Sequence, residues 1–392
     1  MDAWIGGRTV CCMPLSRPLR VAVAGGGFAA AELVLALRAL AEDRVAVELI
    51  TPSTELVFRP AATGAPFELS HVDVYDLASL AEDAGAVLRR DTVEAVAPRA
   101  RRLRLSSGAA VDYDALVLAV GARARAAIPG AVTFRDQRDA HLISGLLEEL
   151  QAHGGRRVAF AAPSGVSWTL PLYELALLTA AEIERRDLGV ETALITPEAA
   201  PLQVFGPEVS DHVGAMLADR QIRRQRGLAH RVGRGRVTLT SGEAVGADRV
   251  VAVPRLVGRR MTGVPADWNG FVATDSHGRV RDVPDVFAAG DVTQFPVKQG
   301  GLATQQADVI AAVLASRAGA GVEIPPVRRV LRTRLLGPDG PLYLRAELDG
   351  AGRPLPASEA PQISHEAPWW PAAKLFGRYV SPWMAAHAPV PL

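Results

Sequence analysis

Cysteine is almost absent. The 392 residues hold two, the adjacent Cys11 and Cys12. None follows, which excludes a redox disulfide or a persulfide on the body of the chain. The usage also fits a reducing, cytoplasmic setting. The eight histidines are scattered, with no i, i+4 pair, so no metal site is expected. Neither sign of charge prevails. Against 43 Lys and Arg stand 42 Asp and Glu, and the net charge of +1 gives no global field to attract nucleic acid. No run of about 20 uncharged apolar residues occurs, so no membrane-spanning helix is expected. Residues 1–18 do not read as a signal peptide. Their short apolar run is broken by Arg8 and Arg17 and has no basic region ahead of it. They read as a disordered leader, with Met13 an alternative start.

What is present is an ordinary globular balance, 49% hydrophobic and 22% charged, over a length that suits two or three domains. The most informative stretch is Val21-Ala22-Val23-Ala24, then Gly25-Gly26-Gly27-Phe28-Ala29-Ala30, then a helical run to Ala41. A buried strand, a glycine turn and a helix open a dinucleotide-binding βαβ unit. Glycine is needed because the turn is tight and the backbone must approach a pyrophosphate. The spacing is G-x-G-x-x-A, with Ala30 as the small third residue.

Val45–Ile50 reads as the second strand. An acid that bonds a ribose usually ends it, but Thr51-Pro52-Ser53-Thr54-Glu55 stands there. Thr51 or Ser53 would bond the ribose less strongly, or Glu55 would reach back. Arg59 is either a surface charge or a donor near the cofactor. Strands 86–89 and 91–97 and a hairpin over 101–113 form a small meander. Residues 115–123 form an apolar strand buried on both faces, with Gly121 at its exit.

A second β–loop–α–β–α unit starts at Gly154. Its loop 162–171 holds one glycine, Gly165, two prolines and the bulky Trp168, so a second phosphate cradle is missing and NAD(P)H is doubtful there. Glu174, early in the following helix, is a dipole partner or a charged group near a redox site. Further on, a strand ends in Gly290-Asp291. Lys298-Gln299-Gly300-Gly301 then opens a helix whose N-terminus suits an anion or a carbonyl. After Pro325 the character changes. Residues 328–335 and 342–348 alternate like strands. The end, 368–384, mixes three of the six tryptophans with Lys374 and Arg378. That mixture suits a membrane interface; the other reading is a segment docked on the core or on a partner subunit, a second copy of the chain being the candidate.

Gly25–Ala30, Ala119–Gly121 and Gly290-Asp291, in this order, make the chain resemble the two-dinucleotide-domain flavoproteins. Within them it is most similar to the branch of sulfide:quinone reductases, flavocytochrome c sulfide dehydrogenases and type II NADH dehydrogenases. The resemblance covers about 19–320. It implies an α/β fold of two Rossmann-like, doubly wound domains, the first discontinuous, plus a small C-terminal segment. The boundaries read as 19–153 with 250–322 for FAD, 154–249 for the second domain, and 323–392 for the C-terminal segment.

The resemblance also implies the site. FAD would lie against Gly25, Gly27, Phe28, Ala29, Ala30, Thr51, Ser53, Arg59, Val93, Ala119 and Gly121, with Asp291 beside Gly290 on the ribityl chain. Lys298, Gly300 and Gly301 would lie near the flavin ring, the lysine steadying negative charge on it. Pro171-Leu172-Tyr173-Glu174 is similar to the Pro-x-Tyr-Glu segment of the sulfide-oxidising branch, which does not use NADH and needs core cysteines that this chain lacks. Lys298 and Glu174 are the expected catalytic groups. The reading that results is an FAD oxidoreductase passing electrons from an unassigned small-molecule donor to a quinone-like acceptor, in the cytoplasm or peripheral on the membrane. The alternatives are a soluble NAD(P)H-dependent reductase and a redox-silent FAD-binding protein.

Overall fold

The computed structural model describes residues 17–153, 156–356 and 362–390. The expected leader, with Cys11 and Cys12, lies outside them except for Arg17 and Pro18. Arg17 is anchored, donating to both carboxylate oxygens of Asp114 at 2.9 and 3.0 Å.

Leu19–Ala24 is buried at every position but Arg20 and forms the middle of a five-stranded parallel sheet. Val45–Ile50 and Ala115–Leu118 pair with it on either side. Val87–Arg89 and Val286–Ala288 close the two edges. The order of attachment reverses beside Leu19–Ala24, so a crevice opens at the carboxyl ends of the central strands. Helix α1 (Phe28–Ala41) leaves from that crevice and buries Ala30, Leu33, Val34 and Leu37 against the sheet. Residues 93–112 form the small antiparallel meander, and α2 (Leu77–Asp83) covers the sheet edge.

The apolar strand expected over 115–123 ends earlier. It stops at Leu118, and Gly121, at φ +65°, redirects the chain. Ala122–Arg125 then pairs antiparallel with Arg255–Gly258 in a ribbon linking the two sheets. Helix α3 (Ala140–His153) follows.

The second sheet is also parallel, in the order 132–133, 249–252, 157–161, 191–196, 223–226. Val132–Thr133 and Arg249–Ala252, which the sequence boundaries place wholly or mostly with the first domain, are strands of this second sheet. The apolar pattern Val250-Val251-Ala252 suits either buried sheet; pairing with Arg157–Ala161 decides it. Helices α4 (Leu170–Arg185) and α5 (Pro207–Asp219) belong to this half.

Helix α6 (Gly300–Arg317) returns to the first sheet and packs along α1. The strands Val330–Gly337 and Gly340–Glu347 form a hairpin, to which Ile363–Ser364 adds a third strand. The C-terminal segment then docks on the core. Leu375, Val380 and Met384 are buried, and α7 (Val380–Ala386) lies on α1. Glu32 of α1 accepts the Tyr379 and Val380 N–H groups at 2.9 and 2.6 Å. Trp383 donates to Asp83 at 2.7 Å. Of the two readings of this segment, docking holds for 374–386, while Trp370 stays 71% exposed. Among the described residues no helix is long and apolar enough to cross a membrane.

Candidate functional site

The crevice of the first sheet is a cleft of about 670 Å³, within the range that takes cofactors. Its floor is the glycine turn. Gly25 has φ +128°, and a Cβ there would sit 2.2 Å from the Ala119 carbonyl oxygen, so only glycine fits. At Gly27 a Cβ would meet nothing within 4 Å, because the residue faces the open cleft. The start of α1 has no side-chain cap and no acid in its first turn, which leaves its N–H groups and positive dipole end for an anion.

Gly25, Gly27, Phe28, Ala29, Thr51, Ser53, Arg59, Val93, Ala119, Gly121, Gly290, Asp291, Lys298 and Gly300 all line this cleft. Two expected residues do not. Ala30 is fully buried beneath α1, where it packs the helix onto the strand. Gly301 is buried against Gln299 and the Phe376 carbonyl. Phe28 stands edge-on to Phe58, ring centroids 5.8 Å apart, at the side of the turn. The hydroxyls offered for the ribose are spent on the local turn. Thr51 Oγ1 accepts the Ser53 N–H at 3.2 Å, and Ser53 Oγ donates to the Glu55 carbonyl at 2.8 Å. The acid missing after the second strand is matched from the next one. Asp91, just beyond Val87–Arg89, lines the same end of the cleft, and Ser106 and Ser107 hold its carboxyl down to about 2.

Arg59 falls on the cleft, not on an outer face, and it is joined there by Arg123 and Arg259. Among the described residues no carboxylate pairs with any of the three. Burial, then the charges of Arg123 and Arg59, lower the pKa of Arg259. Three uncompensated guanidinium groups facing a helix N-terminus fit a dianionic pyrophosphate. Asp291 adds an acceptor. Its carboxylate receives no hydrogen bond among the described residues, and burial raises its pKa against the opposing charges of Lys298 and Arg59. Such a group fits a hydroxylated chain. By these observations the residues present fit FAD.

Lys298 donates to the Thr293 carbonyl and lies over the Phe271 ring, 4.1 Å from its centroid. Burial brings its pKa down to about 8, against Asp291 and Asp267. Glu174 lies one layer behind the cleft wall. It is fully buried and ion-paired at 2.6 Å with Lys374, which itself lines the cleft. Thr63 donates to Glu174 at 2.6 Å and accepts from Lys374 at 3.1 Å; the Leu336 N–H donates to Glu174 at 2.9 Å. Desolvation lowers the Lys374 pKa, with Glu174 opposing. Lys374 had no local sequence signal as a site residue, being 200 positions from its partner. Arg123 did have one, its place two residues after Gly121.

In the second sheet the corresponding loop, 162–171, holds Gly165 as its one glycine. Trp168 packs on Phe205 at 6.0 Å between centroids. Glu198 stands after the second strand, where a ribose acid would be expected, but it is turned inward. Thr169 and Tyr173 donate to it at 2.9 and 2.7 Å, and burial raises its pKa.

The pyridine nucleotide-disulphide oxidoreductase model matches residues 19–309. An NADH dehydrogenase-like protein of Mycobacterium tuberculosis is 30% identical over 299 residues, covering 70% of this chain and 72% of the relative. The sulfide:quinone oxidoreductase of the hyperthermophilic bacterium Aquifex aeolicus superposes with a TM-score of 0.72 at 20% identity, over 84% of each chain. A ferredoxin reductase of Rhodopseudomonas palustris gives 0.62 at 20% identity, over 84% of this chain and 82% of that one. These two likenesses show the fold.

Proposed function

This chain belongs to the pyridine nucleotide-disulphide oxidoreductase family and is an FAD-dependent oxidoreductase, and on that footing we propose that it reduces a quinone-like acceptor beside Lys298 and Lys374. The buried Lys374–Glu174 pair carries this reading. Reducing a quinone to a quinol takes up two protons with two electrons, and a wall that excludes water must supply them. Lys374 reaches the cleft, and burial disposes its ammonium to release a proton, with Glu174 in contact to hold the lysine in place and solvent to restore the proton. A one-electron protein acceptor needs no such pair.

FAD, when bound, supplies the capacity to take up and pass on two electrons. The chain's own residues position it. Gly25, Gly27, Phe28 and Ala29 hold the pyrophosphate with Arg59, Arg123 and Arg259. Asp291 orients the hydroxylated chain, and Thr51, Ser53 and Val93 border the adenosine end. Lys298, with the Gly300 end of α6, offsets negative charge where it develops. Contact with a membrane surface through the exposed Trp370 belongs to the same reading, because quinones reside in lipid.

The test is reoxidation. The protein is reduced anaerobically with dithionite and mixed with a water-soluble quinone. Rapid return of the oxidised flavin spectrum is expected, slowed at least about tenfold in Lys374→Met, as for loss of a proton donor. A protein that does not reoxidise, or a variant as fast as wild type, overturns the reading. A second reading, an NAD(P)H-dependent reductase, is favoured by the mycobacterial relative. Anaerobic bleaching of the flavin by NADH or NADPH would establish it; the single glycine of loop 162–171 favours no bleaching.

A further inference from the structure

One face of the molecule is rich in arginine; Arg220 is paired with Glu184 and Asp339, but the arginines of the following hairpin have no acidic partner among the described residues. Residues 220–236 contain seven arginines and no acid, in a chain whose net charge is only +1. The hairpin of Ala229–Gly233 and Arg236–Leu239 presents Arg231, Arg234 and Arg236, all exposed. Among the described residues none of the three has a carboxylate partner. Of the acids near this hairpin, Asp248 is already bonded to the Arg156 and Arg157 backbone N–H groups and paired with Arg157, and Glu243 accepts from the Gln225 amide.

The hairpin adjoins the linking ribbon. The Val232 N–H donates to the Pro129 carbonyl at 3.0 Å, and the Ala229 N–H donates to Ala162 at 2.9 Å. In the ribbon, Arg125 stands directly opposite Arg255. Like charges in that register cost stability, and among the described residues neither has a carboxylate partner. The same ribbon leads through Arg123 to Arg259 in the cleft. Arg125 and Arg255 thus extend the charge of the hairpin along the ribbon, while Arg123 and Arg259 beyond them serve the pyrophosphate. A strand rises about 3.3 Å per residue, so this face is far wider than a small anion.

We propose that this face docks an acidic protein electron carrier, the donor that the quinone reading needs and on which this inference rests. Two molecules of a one-electron carrier are oxidised, one quinone is reduced to quinol, and two protons come from solvent. Uncompensated charge of one sign on the hairpin and ribbon steers such a partner and raises its association rate by about 10- to 1,000-fold at low salt.

The probe is a pre-reduced, small acidic [2Fe–2S] ferredoxin, mixed anaerobically with the flavin-loaded protein in a stopped-flow instrument. Flavin bleaching is expected to slow at least about tenfold as added salt cuts the Debye length from roughly 20 Å to roughly 4 Å. A similar loss is expected in R231E/R234E/R236E, and with the same ferredoxin after amidation of its carboxylates. No bleaching overturns the proposal, as does a rate indifferent to salt and to the variant. Tighter arginine-dependent binding of phosphatidylserine vesicles or of duplex DNA than of ferredoxin also overturns it. Reoxidation of the dithionite-reduced protein by soluble quinone, run on the same samples, reads the quinone proposal separately. It is expected to be unchanged in the triple variant.

Discussion

Lys374→Met tests the buried pair directly. The ammonium sits 2.6 Å from Glu174, with side-chain exposures of 4% and 0%. Methionine keeps most of the stem volume and removes the charge. Glu174 would retain the Thr63 hydroxyl and the Leu336 N–H, but no cation. A buried charge stripped of its partner costs roughly 3–5 kcal/mol. The second variant, K374M/E174Q, removes the remaining charge, keeps an oxygen for the Leu336 N–H and turns an amide N–H toward the Thr63 hydroxyl, which then accepts. It should recover to within about 1 kcal/mol of wild type, since replacing both members of a buried pair is often neutral. Glu174→Gln alone should cost less than Lys374→Met, because a lysine whose pKa burial has already lowered can shed its proton. Urea unfolding followed by tryptophan fluorescence measures all four proteins at equal m-value. A K374M cost below about 1 kcal/mol, or a double variant no better than K374M, would refute the reasoning.

Gly25→Ala should lose at least about 2 kcal/mol and release the flavin, because its Cβ would lie 2.2 Å from the Ala119 oxygen; flavin absorbance per chain after gel filtration checks it. Glu32 and Asp308 face each other across α1 and α6. Burial, then mutual repulsion, raises the Glu32 pKa to about 8, and burial raises that of Asp308 to about 6. Both folded values exceed the unfolded ones, so the stability of the protonated pair drains away as pH rises through 6 and then 8. Melting temperatures between pH 5.5 and 8.5 should fall in wild type, less in Asp308→Asn, where burial still raises Glu32, and stay nearly flat in E32Q/D308N. Tyr173→Phe leaves the Leu202 N–H without its acceptor and Glu198 with Thr169 as its remaining close side-chain donor. It should cost about 1–3 kcal/mol in denaturant unfolding.

Some of this protein was legible without coordinates, for a physical reason. Val21 to Ala30 carries its instructions locally. A buried parallel strand must be apolar throughout, a tight turn under a pyrophosphate must be glycine, and the helix must start small. The same holds for Gly121, Gly290-Asp291 and the absence of core cysteines. The first sheet and the α1 turn followed from these, and the cleft lining from the resemblance they carry.

What sequence order could not decide was placement. Arg249–Ala252 is apolar enough for either sheet, and only its pairing with Arg157–Ala161 assigns it. Glu174 and Lys374 carry no local mark of partnership, because their contact exists only when the C-terminal segment folds back across the hairpin to the cleft. Arg59, Arg123 and Arg259 lie far apart in the chain and become one cationic wall only after the ribbon closes. Local conformation depends on neighbours along the chain, and sequence records it. Electrostatic partnership depends on neighbours in space, which the tertiary fold alone sets.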